Sequence, residues 1–361
     1  MSMKRRLSRE VKVGGLSVGG SSPISIQSMT NTDTHDIEAT YTQVMRLCDA
    51  GCDIVRITAP DLESAETFRE LKRRGVTVPL VADIHFNHEI AVACAEAGVD
   101  KIRINPGNIG SEEKVRRVVD ACRANSIPIR IGVNSGSLEK EILARHGAPT
   151  AEALAESALY HASILERLGF YDVVLSVKSS RVSEMIEANR ILATRTEYPI
   201  HLGVTEAGGG DSALIKSSIG IGALLAEGIG DTLRVSLTDD PVSEVRSARE
   251  ILKAFDLCDK PGMDIVSCPT CGRTGIDLIG MLNEFKQRAA ALGLDKLNIR
   301  VALMGCVVNG PGEAREADVG IAGGRGEGLL FKRGEIIRKL PECELINALI
   351  EEIIRMKDEA E

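Results

Sequence analysis

Eight short segments rich in β-branched residues alternate with helix-like segments over the first two-thirds of the chain. Several of the helical segments end in a glycine turn, as in LCDAGCD, CAEAGVD and LAEGIGD, which is a common way for a helix to stop before a strand. This alternation predicts a parallel sheet with crossover helices. Eight units of even size within about 250 residues favour an α/β fold closed into a TIM barrel over a doubly wound open sheet. The predicted strands are Pro23–Met29, Asp53–Thr58, Leu80–His85, Lys101–Asn105, Ile129–Asn134, Val173–Lys178, Ile200–Thr205 and Thr232–Leu237.

Side chains within these strands alternate between apolar and polar. Because successive strand residues point to opposite faces, one face is apolar, as in Ile129, Ile131 and Val133, and should pack on the outer helices. The other face should point into the barrel and is polar near the carboxyl end of each strand, where TIM-barrel active sites form. The inward polar residues are Arg56, Thr58, Asp83, His85, Arg103, Asn105, Arg130, Asn134, Ser176, Lys178, His201, Thr205, Arg234 and Ser236.

Basic residues outnumber acids at this predicted mouth of the barrel. The acids available for ion pairs there are Asp83 and Glu206, and two carboxylates cannot balance five cations. Unpaired cations in a narrow barrel carry a large desolvation penalty, and arginine binds phosphate through two parallel hydrogen bonds. The sequence therefore predicts a phosphorylated small molecule as the ligand. The five cations are Arg56, Arg103, Arg130, Lys178 and Arg234.

The pattern of the sequence changes near residues 255–262, which predicts two domains, 1–257 and 258–361. The second segment reads as a small α+β domain. It contains a short strand that reaches Cys268, a helix with Leu278 and Phe285 on one face, and a strand at Leu297–Met304. A glycine-rich hairpin starting at Val319 and a final helix, Glu344–Met356, complete it. Just over 100 residues suffice for a separate domain.

Three cysteines and a carboxylate lie in glycine- and proline-rich turns of this second segment. Cys268 and Cys271 form a Cys-x-x-Cys pair, Cys306 follows in the sequence GCVVNGPGE, and that stretch ends at Glu313. Such thiolates can bind zinc, hold an iron–sulfur cluster or form a redox disulfide. All six histidines precede Cys268, which makes a zinc site harder to complete, and a disulfide would leave Cys306 unexplained. The residues favour iron–sulfur and leave the other two chemistries open.

Composition and missing motifs narrow the function further. The net charge of −8 disfavours broad nucleic-acid binding, and no apolar run is long enough for a membrane span. Nine cysteines with no export signal predict a reducing, cytoplasmic location. The sequence has no nicotinamide or flavin signature, so any electrons for redox chemistry are expected from another protein.

Several motifs resemble those of one enzyme family over essentially the whole chain. They are VRITAP at Val55–Pro60, ADIHF at Ala82–Phe86, INPGNIG at Ile104–Gly110, RIGVNSGSL at Arg130–Leu138, and the cysteine motifs SCPTCGR and MGCVVNGPGEA. The chain resembles the 4-hydroxy-3-methylbut-2-enyl diphosphate synthases, iron–sulfur enzymes of the methylerythritol phosphate route to isoprenoids, in their compact two-domain form.

This resemblance implies a TIM barrel that binds substrate and a second domain similar to a sulfite/nitrite reductase half-domain. It implies a 4Fe–4S cluster held by Cys268, Cys271, Cys306 and Glu313. The implied reaction is the two-electron reductive ring opening and dehydroxylation of 2-C-methyl-D-erythritol 2,4-cyclodiphosphate to the linear allylic diphosphate. Flavodoxin or ferredoxin would donate the electrons, and the protein would be a homodimer.

The resemblance also implies roles for barrel residues. Asp83, Asn105 and Glu206 would surround the reacting carbons, with Glu206 the candidate for proton transfer. A redox-inactive TIM-barrel phosphate enzyme with a structural zinc domain, for example a pterin-type synthase, is the alternative. The implied diphosphate ligands are Arg56, Arg103, Arg130, Asn134, Lys178, Arg234 and Ser236.

Overall fold

The computed structural model describes residues 4–258, 262–306 and 315–359. By its internal contacts the chain divides into two compact units, Met1–Asp259 and Lys260–Glu361. Among the helices of the described ranges, none combines the length and the apolar character that a membrane span requires.

Eight parallel strands form the sheet of the first unit, in the order β8-β7-β6-β5-β4-β3-β10-β9. A further parallel bridge between Leu175 on β8 and Ile200, just before β9, joins the two ends of the sheet. The sheet is thus a nearly closed barrel, and the TIM-barrel prediction is confirmed. The eight strands are β3 (Ser25–Met29), β4 (Ile54–Thr58), β5 (Leu80–Asp83), β6 (Lys101–Ile104), β7 (Ile129–Asn134), β8 (Val173–Lys178), β9 (His201–Leu202) and β10 (Thr232–Leu233).

Helices surround this barrel, and the apolar strand faces pack against them. Ile102, Ile129, Ile131 and Leu175 are fully buried in one cluster with helix residues such as Phe68. This is the arrangement that the period-two pattern predicts. The helices are α1 (Ile37–Asp49), α2 (Ser64–Arg73), α3 (His88–Glu96), α4 (Pro106–Ile109), α5 (Glu112–Ala124), α6 (Lys140–His146), α7 (Ala151–Arg167), α8 (Val182–Arg195), α9 (Gly210–Ala226) and α10 (Pro241–Lys253).

A β-hairpin before the barrel was not predicted from the sequence. Its strands, β1 (Val11–Val13) and β2 (Leu16–Val18), pair antiparallel. Val13 and Val18 are fully buried with Ile54 and Val81. Ile54 is the first residue of β4, and Val81 is the second residue of β5. Because these contacts lie near the amino ends of the strands, the hairpin covers the end of the barrel opposite the predicted site.

The second unit is a mixed five-stranded sheet in the order β11-β12-β13-β14-β15. The strands β11, β12 and β13 are parallel, and β14 and β15 add in antiparallel orientation. Phe285 and Leu349, one from each helix, are buried with Val301 and Ile321 of the sheet. The α+β prediction is confirmed. The elements are β11 (Asp264–Ser267), α11 (Leu278–Ala291), β12 (Arg300–Met304), β13 (Val319–Gly323), β14 (Glu327–Lys332), β15 (Glu335–Pro341) and α12 (Leu345–Asp358).

Among the barrel strands, the lengths differ most from the prediction in β9 and β10. Strands β9 and β10 contain two residues each and end at Leu202 and Leu233, whereas the sequence predicts strands to Thr205 and Leu237. Strand β15 was not predicted, because its sequence, EIIRKLP, shows no alternation of apolar and polar residues. Most of its residues are exposed.

Candidate functional site

A polar pocket lies at the carboxyl ends of the barrel strands, where the sequence predicts a site. Eleven of its twelve lining residues are inward positions predicted from the strand pattern, and the twelfth is Gly132. The structure therefore brings the predicted cations together around one cavity. The lining residues are Arg56, Asp83, His85, Arg103, Arg130, Gly132, Asn134, Ser176, Lys178, Thr205, Arg234 and Ser236.

Asp83 lies between two arginines in this pocket. Its carboxylate is 3.1 Å from the guanidinium of Arg103 and 3.7 Å from Nε of Arg56. Burial by itself would raise the pKa of Asp83, but the surrounding cations, Arg56 first among them, outweigh it and lower the pKa to about 2. Asp83 is therefore ionised at neutral pH and neutralises part of the positive charge.

Gly132 allows Arg103 to take this position. A Cβ atom built on Gly132 would come within 2.4 Å of the Arg103 Nε, closer than two such atoms can approach. Arg103 also donates a hydrogen bond of 3.1 Å to the Gly132 carbonyl oxygen. A glycine on β7 is thus required by the neighbouring arginine, a reason that the strand pattern alone does not reveal.

Arg234 has a carboxylate partner that the sequence reasoning missed. Glu244, on α10, accepts hydrogen bonds from Nε and from the terminal nitrogen of Arg234 at 3.0 and 2.9 Å. Glu244 is buried, and it also accepts from the Ser28 hydroxyl at 2.8 Å. The sequence analysis names Glu206 as the second acid that could neutralise the cations of the mouth. In the structure, Glu244 is the acid that pairs with Arg234.

Arg130 and Lys178 have no carboxylate partner among the described residues. Arg130 is 1% exposed, and it donates a 3.1 Å hydrogen bond to the side-chain oxygen of Gln27. Burial first, and then the neighbouring arginines, lower the pKa of both Arg130 and Lys178 well below the usual values. Charge on these groups is therefore disfavoured until an anion approaches, which is the property expected of a phosphate-binding pocket.

Two predicted residues of the reacting centre lie outside the lining of this pocket. Asn105 is buried at the start of α4, where its side-chain oxygen accepts a hydrogen bond from Gly107 N–H at 3.2 Å. Its side-chain nitrogen has no partner among the described residues. Glu206 is exposed and has a positive φ of 52°. It follows Thr205, which does line the pocket, so Glu206 lies next to the pocket without forming its wall.

In the second unit, two of the predicted cysteine ligands lie at the carboxyl ends of neighbouring parallel strands. Cys268 follows β11 and Cys306 comes two residues after β12 ends, and Ser267 pairs with Leu303 in the register of these strands. The backbone N–H of Gly305 donates to the Cys268 sulfur at 3.2 Å. Such a donor stabilises a thiolate, the form that binds metal.

Cys271 is exposed in the turn that follows Cys268. The turn is held by Thr274, whose hydroxyl accepts from Cys271 N–H at 3.1 Å and whose N–H donates to the Cys271 carbonyl at 2.9 Å. Neither Cys268 nor Cys271 forms a disulfide. Glu313 lies outside the described residues. Within the described ranges, no three Cys, His, Asp or Glu side chains form a metal-binding group.

The fold and these sites define a TIM-barrel protein with a cationic pocket at the carboxyl ends of its strands and a second α+β domain in which Cys268 and Cys306 lie at neighbouring strand ends. Family models match both parts, a GcpE TIM-barrel domain over residues 8–249 and a GcpE protein C-terminal domain over residues 264–355. The chain belongs to the GcpE family.

Curated relatives cover nearly all of the chain. It is similar to proteins named 4-hydroxy-3-methylbut-2-en-1-yl diphosphate synthase (flavodoxin) from Clostridium perfringens, at 58% identity over 96% of this chain and 98% of that one, and from Geobacter sulfurreducens, at 56% identity over 96% of each. A third relative with this name, from Caldanaerobacter subterraneus, is 54% identical over 99% of this chain and 100% of its own length.

Among solved structures, the barrel is similar to dihydropteroate synthase from Stenotrophomonas maltophilia. The TM-score is 0.51 at 16% identity, over 69% of this chain and 97% of that one. At this identity the likeness supports the barrel fold alone.

Proposed function

We propose that this protein is a 4-hydroxy-3-methylbut-2-enyl diphosphate synthase of non-mevalonate isoprenoid biosynthesis. It would convert 2-C-methyl-D-erythritol 2,4-cyclodiphosphate, two electrons and two protons into the linear allylic diphosphate and water. The observation that carries the proposal is the cationic pocket of the barrel in a chain of the GcpE family. The relatives' names do not support the redox-inactive zinc alternative.

The pocket residues would bind and orient the diphosphate. Arg130 and Lys178 have no carboxylate partner among the described residues, so their charges are available to the phosphoryl oxygens. Arg56, Arg103 and Arg234 already contact carboxylates and would hold the same anion at the edge of the cluster of cations. When the ring C–O bond breaks, negative charge grows on the departing phosphate oxygen, and fixed cations stabilise it without reorganising. Asn134 and Ser236, which also line the pocket, would donate further hydrogen bonds.

Residues next to the pocket would handle the carbon end of the substrate. Asp83 stays ionised at neutral pH. By holding Arg56 and Arg103 in place, it would help to position the reacting carbons of the bound substrate. Asn105 has a buried amide nitrogen available as a donor. Glu206, exposed beside Thr205, would deliver a proton to the departing hydroxyl group, which leaves as water.

The second domain, residues 258–361, would hold a 4Fe–4S cluster, and the barrel, residues 1–257, the substrate. The donor chemistry fits. Cys268 and Cys306 lie at adjacent strand ends, Cys271 is in an exposed turn, and Cys268 accepts an N–H hydrogen bond at sulfur. Glu313 would be the fourth ligand. When bound, the cluster would supply electrons and a Lewis-acidic iron.

Partners follow from the same proposal. Flavodoxin, which the relatives' names contain, or ferredoxin would donate the electrons, since the sequence has no nicotinamide or flavin signature. The protein would be a cytoplasmic homodimer, as the resemblance to the family implies.

The test is to purify the protein without oxygen and to measure iron, acid-labile sulfide and the visible absorption band. A brown protein with about four irons and four sulfides per chain supports the proposal. A colourless protein that contains zinc would contradict it.

A further inference from the structure

Several buried polar side chains of the barrel strands have an atom with no hydrogen-bond partner among the described residues, and Lys101 is one of them. Lys101 and Arg103 are two residues apart on β6, so they point to the same face of the strand. Because Arg103 lines the pocket, Lys101 also points into the barrel, about 7 Å deeper along the strand. Its side chain is fully buried, and its Nζ has no hydrogen-bond partner among the described residues.

The groups around Lys101 offer no free counter-charge. Arg130 on β7 and Arg56 on β4 are the cations with the largest electrostatic effect on it, and Asp100 is the acid that opposes them. Asp100 already binds Lys72 and accepts from Leu80 N–H at 2.7 Å. Towards the closed end of the barrel, Lys101 pairs in register with the apolar Val81.

Other buried polar side chains of the barrel strands also have atoms without hydrogen-bond partners among the described residues. Ser25 Oγ, Gln27 Nε2 and His201 Nε2 are buried and have no partner among the described residues. His201 has its other ring nitrogen 3.4 Å from the Thr232 hydroxyl, and Lys101 is among the cations that lower the pKa of His201. A charged ammonium is only a donor, whereas a neutral amine carries a lone pair and can accept a hydrogen bond. Among the described residues no acceptor lies within hydrogen-bonding distance of Nζ, so a charged ammonium would leave all of its donors unsatisfied, and the neutral amine is the less costly form.

Electrostatics agree with this geometry. Burial first, and then Arg130 and Arg56, lower the pKa of Lys101 well below the usual lysine value. A ligand with two negative charges bound in the pocket would weaken the positive potential that Arg130 and Arg56 place on Lys101. The amine would then gain a proton, and the added charge would lie directly beneath the bound anion.

We propose that Lys101 is uncharged in the ligand-free protein and takes up a proton from solvent when the cyclic diphosphate binds above it. In this step an N–H bond forms at Lys101 Nζ, and the bond between the proton and its donor in the solvent breaks. Lys101 thus acts as a charge-balancing residue that touches neither substrate nor cluster. The inference rests on the proposed function, since it takes the doubly charged cyclic diphosphate as the ligand.

Calorimetric titration of the anaerobic holoenzyme with 2-C-methyl-D-erythritol 2,4-cyclodiphosphate tests the proposal. The phosphoryl groups of this ligand do not titrate near neutral pH, so a binding enthalpy that varies with the ionisation enthalpy of the buffer reports protons gained by the protein. Because the pKa of Lys178 is lowered as well, the wild type should take up one or more protons at about pH 8, and Lys101→Met should take up about one fewer than the wild type. Lys114→Met, the same change at an exposed position of α5, should match the wild type. Lys101→Gln replaces Lys101→Met if the latter does not fold.

A second readout needs no ligand. Because the folded protein disfavours a proton on Lys101 that the unfolded chain accepts, wild-type stability should rise as the pH increases towards the ordinary lysine pKa of 10.5. Lys101→Met should flatten that rise, and Lys114→Met should not. Binding with no proton uptake, or equal uptake by wild type and Lys101→Met, would overturn this inference and leave the proposed function standing. A wild-type holoenzyme that does not bind the cyclic diphosphate would contradict both this inference and the proposed function.

Discussion

Arg130 and Arg234 line the same pocket but differ in their partners, so the same substitution should destabilise the protein much less at Arg130 than at Arg234. Arg130 is 1% exposed and bonds the neutral amide of Gln27. Arg130→Met would lose this bond and leave one buried acceptor, at about 1–3 kcal/mol. It would also remove an uncompensated buried charge, whose penalty is several kcal/mol. The free energy of unfolding should therefore stay within about 1–2 kcal/mol of the wild type, or increase.

Arg234→Met is the matched control. It would leave Glu244, which is 2% exposed, without its bidentate partner, and breaking a buried pair costs about 3–5 kcal/mol. Denaturant unfolding of the holoenzymes measures both changes.

Ligand binding gives the second half of this test. If Arg130 binds a phosphoryl group, its replacement should remove about 2–3 kcal/mol of charge-assisted hydrogen bonding, which raises Kd about 30- to 150-fold. Titration of each variant with the cyclic diphosphate measures this. An Arg130→Met protein that is as destabilised as Arg234→Met, and whose Kd is unchanged, would refute the reasoning, because Arg130 would then be a structural residue.

Three further predictions concern the acid and the cysteine domain. The pKa of Asp83 is about 2 in the folded protein, against an ordinary value of 3.8. Its ionisation should therefore add about 2 kcal/mol to the free energy of unfolding above pH 4, and this stabilisation is lost as the pH falls through 2. Asp83→Asn should flatten this acid dependence in denaturant unfolding, and an unchanged dependence would contradict the ion-pair assignment. Cys268→Ser should lose most of the iron and acid-labile sulfide while the barrel still binds the cyclic diphosphate; an unchanged iron content would remove Cys268 from the ligand set. Glu313→Ala should retain part of the cluster, seen as iron content, and lose most turnover; full activity would exclude Glu313 from the mechanism.

The barrel could be predicted from sequence because its signal is local. Side chains alternate along each strand, and this fixes which residues face inward without knowledge of their neighbours. The positions of Arg103 and Lys178 in the pocket follow directly from that alternation. The hairpin from Val11 to Val18 was missed, although its valines also alternate, because its strands contain only three residues each.

Pairings across the fold could not be predicted. Glu244 reaches Arg234 from a helix that packs beside β3, and strand alternation carries no information about such a helix. Glu206 follows the predicted strand Ile200–Thr205, and its role was taken from the resemblance to the family and not from the alternation of side chains. Strand β9 stops at Leu202, and the backbone turns at Glu206 with a positive φ, so the residue is exposed next to the pocket.

The most direct test of the account is anaerobic turnover. The holoenzyme would be incubated with the cyclic diphosphate and reduced flavodoxin. The products would then be separated, and their masses measured by mass spectrometry. The account predicts a linear allylic diphosphate that is lighter than the substrate by one oxygen atom, formed with consumption of two electrons. Unchanged substrate, from a protein whose cluster is intact and whose barrel binds the ligand, would contradict it.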